Sequence, residues 1–144
     1  KETTMSIADK TTALLAAIDA YDDVKVSTAK SLVKELKYTV AATRNATGNV
    51  SIDLSTATEF PITVTGNTTF AFTGKPAAGE TRTSWLRLTN AGNFTLAFPA
   101  GTRVSGGTWP DFTANGVDLI GVKYDPIADA YLIFEAGPDM KPGA

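Results

Sequence analysis

The apolar positions of residues 49–136 recur at every second residue. In VSIDL, Val50, Ile52 and Leu54 alternate with Ser51 and Asp53; in FPITV, Phe60, Ile62 and Val64 alternate with Pro61 and Thr63. Phe70 and Phe72 continue the pattern after TGNT. Leu86 and Leu88 carry it opposite Trp85, Arg87 and Thr89, and Phe94, Leu96 and Phe98 carry it after NAGN. A period of two sends successive side chains to opposite faces of a strand, so each run predicts a strand with one buried face. Short runs of this kind, parted by Gly and Asn turns, predict a mainly β fold: an antiparallel β-sandwich, jelly-roll-like in outline. ITVTGNTTFAF (62–72) and LRLTNAGNFTLAF (86–98) echo each other and read as two similar hairpins sharing one core. VDLIGVKY and AYLIFEA, joined by the turn DPIADA, are apolar on both faces in their middles; such strands are central or covered by a partner.

Residues 1–47 follow a helical period. MSIADKTTALLAAIDAYDD sets Ile7, Leu14, Leu15, Ile18 and Tyr21 on one helix face, with Ser6, Asp9 and Lys10 as its start signal. Asp22 and Asp23 interrupt it. Ser27 or Thr28 can then cap a second helix, in which Ala29, Leu32, Val33, Leu36 and Val40 form an apolar stripe. Helices this short are marginal alone in water. The stripes are therefore expected to be buried against each other, against the β domain or against copies of the same chain, and Ala29, Leu32, Val33, Leu36 and Val40 are the candidate self-association residues. The chain divides on this reading into a helical connector (1–47), a β-sandwich domain (48–137) and a flexible Gly/Pro-rich tail (138–144).

Composition narrows the function. A chain of 144 residues with 43% hydrophobic and 19% charged residues fits one folded domain with a short appendage. The net charge is −2, and the densest basic group, Lys30, Lys34 and Lys37, is spaced like one solvated helix face. Nucleic acid is therefore not an expected partner. No apolar run approaches the ~20 residues that a membrane-spanning helix needs, so membrane insertion is not expected. A chain opening on Lys1 is expected to be a processed product or a piece of something longer. It holds no Cys and no His. That removes disulfides, the commonest general base and the commonest transition-metal ligand. Neither a Ser-His-Asp nor a Cys-His arrangement can be built, and neither catalysis nor a cofactor is expected.

The carboxylates have two readings. Asp125 and Asp129 flank a turn, and Asp111 and Asp118 lie near GGTWPDF. Paired carboxylates can do acid–base work or hold calcium. The spacing lacks a D-x-D-x-D-G loop, and Asp in a turn ordinarily caps its own backbone. The two tryptophans also have two readings. Trp85 opens a strand opposite Leu86. Trp109 follows Gly106 and Gly107 and precedes Pro110, so it can stack on a sugar or a partner, or fold back to plug one end of the fold. Trp85, Trp109 and Asp111 are the candidate receptor or partner contacts. N-x-S/T triplets at Asn45, Asn49, Asn67 and Asn93 read as products of a Thr-rich chain with Asn in its turns. TGN, NAGN and SGG follow or join strands, and none opens a helix as a phosphate-binding loop must; they read as hairpin turns.

Two stretches resemble a known family. DDVKVSTAKSLVKEL (22–36) resembles a segment of many bacteriophage tail fibres that runs Asp-Asp-x-Lys-x-Val-Thr-Pro-Lys-Thr-Leu before a helix. Asp22, Asp23, Lys25, Val26, Thr28, Lys30 and Leu32 fit it, while Ala29 stands where Pro is usual and Ser27 sits beside Thr28. SIDLSTATEFPITVTGNTTFAFT, LRLT, FPAGTRVSGGTWPDFTANGVDLIGVKYD and YLIFEAG resemble a β domain common at the ends of phage tail-fibre and other virion surface proteins. Gly106-Gly107-x-x-Pro110 and NGVDLIGVKYD carry most of that likeness, which together spans residues 22–137. The resemblance implies a virion structural protein on the particle surface. It implies a homotrimer that contacts other virion proteins and forms the terminal part of a fibre, with a host cell-surface glycan or protein as candidate attachment partner. The rival expectations are a capsid decoration or head-fibre protein and a carbohydrate-binding module, the latter requiring exposed aromatic rings.

Overall fold

A computed structural model describes residues 6–17, 20 and 38–142. The chain divides into two units, Lys1–Lys37 and Tyr38–Ala144.

In the first unit a helix runs over 7–17. Its start is the one the spacing predicts. The Asp9 N–H donates to Ser6 Oγ at 3.2 Å, and the Ser6 N–H and hydroxyl donate to Asp9 Oδ2 at 3.2 and 2.7 Å. This reciprocal capping satisfies backbone donors of the first turn, with Asp in the place that Glu usually takes. Ile18, Tyr21 and the second predicted helix, with Ala29, Leu32, Val33 and Leu36, lie outside the described residues. Val40 is described, and it departs from the helical stripe. It pairs in parallel with Glu59, and the N–H groups of Thr58 and Glu59 donate to the Thr39 carbonyl. β-Branched Thr39 and Val40 suit that extended backbone, so pairing begins inside the stretch assigned to the connector.

The second unit is mainly β, as the period of two predicts. Its strands are β1 (Arg44–Asp53), β2 (Glu59–Thr73), β3 (Thr83–Thr89), β4 (Leu96–Ala97), β5 (Arg103–Val104), β6 (Val117–Asp125) and β7 (Ala130–Gly137). All belong to one sheet in the order β1-β2-β3-β6-β7-β5, with β4 also on β2. The pairing is mixed, where antiparallel pairing was expected. β1–β2, β2–β3, β2–β4 and β5–β7 are parallel; β3–β6 and β6–β7 are antiparallel.

Connection length shows how the parallel half is built. Arg44 lies beside Ile62 and Asp53 beside Thr73, yet only residues 54–58 join the two strands. A straight ten-residue strand is about 33 Å long, whereas six residue steps reach at most about 22 Å. The strands must therefore bend, and the chain winds back beside itself as a coil. The bend is visible in the register: Ala46 faces Val64 and Gly48 faces Thr68, so Thr47 is set against residues 65–67. TGN is thus a corner inside β2 and not the hairpin turn that its composition suggested. The echo between 62–72 and 86–98 has the same origin. Ile62 lies beside Leu88 and Thr69 beside Ala97, so the similar segments are neighbouring turns of the coil.

Alternate residues point inward. Ala46, Ile52, Phe60, Ile62, Val64, Phe70, Leu86, Leu88, Ile120, Val122 and Ile133 form one buried cluster, each large side chain worth about 1.5–3 kcal/mol by its burial. β6 and β7 close as the antiparallel hairpin that DPIADA predicts, with Asp125 Oδ1 accepting from the Ile127 N–H at 3.0 Å. The segment assigned to the tail is tied down at its start. The Asp139 N–H donates to Asp118 Oδ1 at 3.1 Å and the Met140 N–H to the Val117 carbonyl at 2.7 Å.

Candidate functional site

The segment between β4 and β6 holds the most informative side chains. It passes through β5 and a 3-10 turn at Ser105–Gly107, where Gly106 and Gly107 take φ of 67° and 73°. A side chain at either position would strain this left-handed backbone. Pro110 then restricts the chain behind Trp109. The return to β6 is clamped by Asp118, which is 2% exposed. Its carboxylate accepts from the Thr113 N–H at 2.7 Å, the Thr113 hydroxyl at 2.8 Å and the Asp139 N–H. Asp118, a residue of β6, is therefore a clasp that ties the loop and the chain end to the strand, and not the cap of a turn.

This frame lays Trp109 flat on Phe98, with centroids 4.9 Å apart and planes 11° from parallel. Phe98 in turn stacks on Phe70 at 5.4 Å. The rings come from β2, from the segment just after β4 and from the loop, so the coil stacks its aromatics in sequence. Phe70 is 1% exposed, Phe98 is half-buried and Trp109 is 44% exposed. Trp109 is thus the open end of the stack and not a buried plug.

Beside it lies a groove of about 450 Å³, lined by Trp109, Phe134, Ser105, Thr108, Asp111 and Glu135 among others. Its volume falls within the usual range of small-molecule sites. Trp109 and Asp111, both singled out in the sequence, meet here. Glu135 was missed: it sits in the apolar run AYLIFEA, on the same alternation as the buried Ile133, yet it is exposed where β7 nears its end. Asp111 and Glu135 are exposed. Among the described residues the ion pairs are Lys75–Asp129 and Lys141–Asp139, which leaves both groove carboxylates free as acceptors.

Trp85 belongs elsewhere. It lies on the outer face of the sheet, level with Gly121 and Phe134 across β3, β6 and β7, and packs edge-on against Phe134 at 5.8 Å and 81°. Leu119 and Leu132 share that face and are half-buried, with Arg87 and Lys123 exposed opposite them. Of the self-association residues, Val40 is described and 64% exposed; the other four lie outside the described residues.

Two further polar places have structural roles. Lys75 Nζ pairs with Asp129 Oδ1, which also accepts from the Tyr124 hydroxyl at 2.8 Å, and Nζ lies 5.0 Å from the centre of the Tyr124 ring. The Lys75 bond, then that of Tyr124, holds the Asp129 carboxyl below its ordinary range. The Asp129 carboxylate first, then Tyr124, pushes the Lys75 ammonium up, and burial pushes the neighbouring Tyr131 phenol up. A second depression, about 340 Å³, is lined by Arg44, Ser51, Asp53 and Phe60. Arg44 Nη2 donates to the Ser51 carbonyl at 2.8 Å and its Nε is buried without a partner. Among the described residues no group of three or more His, Cys, Asp or Glu could hold a metal ion.

Compared with protein-family models, curated proteins and solved structures, the chain matches none.

Proposed function

We propose that the chain is a virion structural protein, a phage tail-fibre segment that assembles as a homotrimer and contributes to host-surface attachment. The observation that carries the reading is the outer face of β3, β6 and β7. Trp85, Leu119, Leu132 and Phe134 stand together on it, half-buried, between Arg87 and Lys123. An apolar face rimmed by charge is the composition of a surface that meets another chain. The resemblance says which chain: another copy of itself. The stretches that carry the likeness fall on strands, SIDLSTATEFPITVTGNTTFAFT over the end of β1 and all of β2 and NGVDLIGVKYD over β6.

Light scattering on the purified chain tests this. The expected mass is three times the 15.1 kDa of one chain, and Leu119→Asp with Leu132→Asp is expected to return it to one. A wild-type monomer would overturn the fibre reading.

A further inference from the structure

We infer that the groove beside Trp109 is a binding site for a neutral pyranose saccharide, with the indole as its stacking platform. The inference gives the attachment half of the proposed function a place and a ligand class, and in that sense rests on it.

Three observations converge on this ligand. The first is the aromatic stack. Phe70, Phe98 and Trp109 follow one another through the coil, and Trp109 ends the series 44% exposed. Stacked flat on Phe98, the indole is held at a fixed angle before any ligand arrives. The position beyond the last ring suits another flat, weakly polar face, and the C–H face of a pyranose offers one. Stacking on a preset ring loses little conformational freedom, because the indole is already seated on Phe98 and Pro110 restricts the backbone behind it.

The second is the polar lining. Asp111 and Glu135 are carboxylates without ion-pair partners among the described residues, and Ser105 and Thr108 add hydroxyls. A carboxylate accepts from vicinal sugar hydroxyls, and hydrogen bonds to a charged acceptor are the stronger kind. A peptide would bring fewer donors to these acceptors, and a purely apolar ligand would bury them unpaired.

The third is charge. The groove has two carboxylates and no basic lining residue. An anionic sugar would meet like charge on both walls, so neutral rings are selected. Trp85 stands outside the lining but packs edge-on against Phe134, which borders both the groove and the outer face.

The chain has two tryptophans, so Trp85→Phe leaves Trp109 as the single fluorescent reporter. On that background, titration with cellobiose, lactose, maltose and chitobiose is expected to change Trp109 emission saturably with at least one of them. In an otherwise wild-type chain, isothermal titration calorimetry with the same sugar is expected to show Trp109→Ala weakening binding at least about tenfold and Trp109→Phe restoring part of it. Asp111→Asn is expected to weaken binding several-fold, and galacturonic acid to bind at least about tenfold more weakly than the neutral sugar. Unchanged far-ultraviolet circular dichroism checks the fold of each variant. No saturable response to any of the four sugars together with no calorimetric binding by the wild-type chain overturns the site, as does equal binding by Trp109→Ala with its fold intact. Light scattering on the wild-type chain, beside its calorimetry, separates the two proposals. A trimer that ignores all four sugars sinks the groove alone; a monomer that binds one sinks the fibre reading and leaves the groove standing.

Discussion

The Phe134 ring lies directly over Gly121, its partner on the neighbouring strand: a Cβ built on Gly121 would stand 2.1 Å from Phe134 Cζ. The glycine makes room for the ring, and the ring covers backbone that a glycine would otherwise leave bare. Trp85, level with both, then meets Phe134 edge-on. Gly121→Ala is expected to push Phe134 off its seat and destabilise the fold by about 1–3 kcal/mol, the usual effect of overpacking. Urea unfolding followed by circular dichroism measures it. Phe134→Ala removes the obstacle, so the double variant is expected to lose less than the two single losses added. Strict additivity would mean that the ring has no hold on this position.

Asp118 is expected to be the most sensitive carboxylate among the described residues. It is buried and accepts three hydrogen bonds, two from Thr113 and one from the Asp139 backbone. Asp118→Ala leaves those donors without a partner and is expected to destabilise by about 3 kcal/mol or more. Asp118→Asn keeps the shape but turns an acceptor into a donor facing a donor, with a loss of about 1–3 kcal/mol. Hydrogen exchange gives the local readout: the Thr113 and Asp139 amides should exchange faster in both variants. Amides that remain protected would show that the clasp is not what orders the Trp109 loop and the chain end.

The Lys75–Asp129 pair makes a pH-dependent contribution whose direction follows from its two partners. The Asp129 carboxyl is held below its ordinary 3.8, chiefly by Lys75 and then by Tyr124. A carboxyl lowered by folding adds stability above its unfolded value and loses it as pH falls through the folded one. Lys75 is raised above its ordinary 10.5, so its contribution is present below that value and is lost as pH rises beyond it. Asp129→Asn isolates the charge, since Asn readily takes the left-handed backbone (φ 48°) found there. The gap in thermal midpoint between wild type and variant is expected to be small at about pH 7, because the pair is exposed. It should close towards about pH 2 and shrink in about 1 M NaCl. A gap that persists in acid would show that the pair is not its source.

The strands were legible because their inward residues are apolar at every second position. Ile52, Phe60, Ile62, Leu86 and Leu88 all lie in the core. How the strands pair was not, since a period of two is the same in parallel and antiparallel ladders. Gly66 and Asn67 look like a hairpin turn because glycine and asparagine also permit a corner. The connection at residues 54–58 has hairpin length, and it reaches a parallel neighbour only because both strands bend. At the groove, Trp109 and Asp111 stood out as an aromatic and a carboxylate in a Gly/Pro loop. Glu135 did not, for it shares the alternation of the buried Ile133 and is open only because β7 ends nearby. Val40 continued a helical spacing by coincidence, its backbone being claimed by Glu59.

The coil itself can be tested at its corner. Gly66 passes so close to the preceding turn that a Cβ there would stand 2.4 Å from Thr47 Oγ1 and 3.2 Å from Thr47 Cβ. Thr47 is the residue set against the corner of β2. Gly66→Ala is expected to destabilise by about 1–2 kcal/mol, moderated by the freedom of the Thr47 side chain to turn away. Thr47→Ala in the same chain removes the nearer contact and leaves the tight Cβ approach, so it should recover only part of the loss. Thr47→Gly should remove the steric conflict altogether, apart from its own backbone entropy. Urea denaturation of Gly66→Ala and the two double variants, with wild type, Thr47→Ala and Thr47→Gly as references, gives the coupling energy. In a hairpin turned at TGN, residue 66 would meet its own strand and have no reason to couple to residue 47. Zero coupling would therefore sink the coil, and a graded rescue from Thr through Ala to Gly would place successive turns of the chain in contact at this corner.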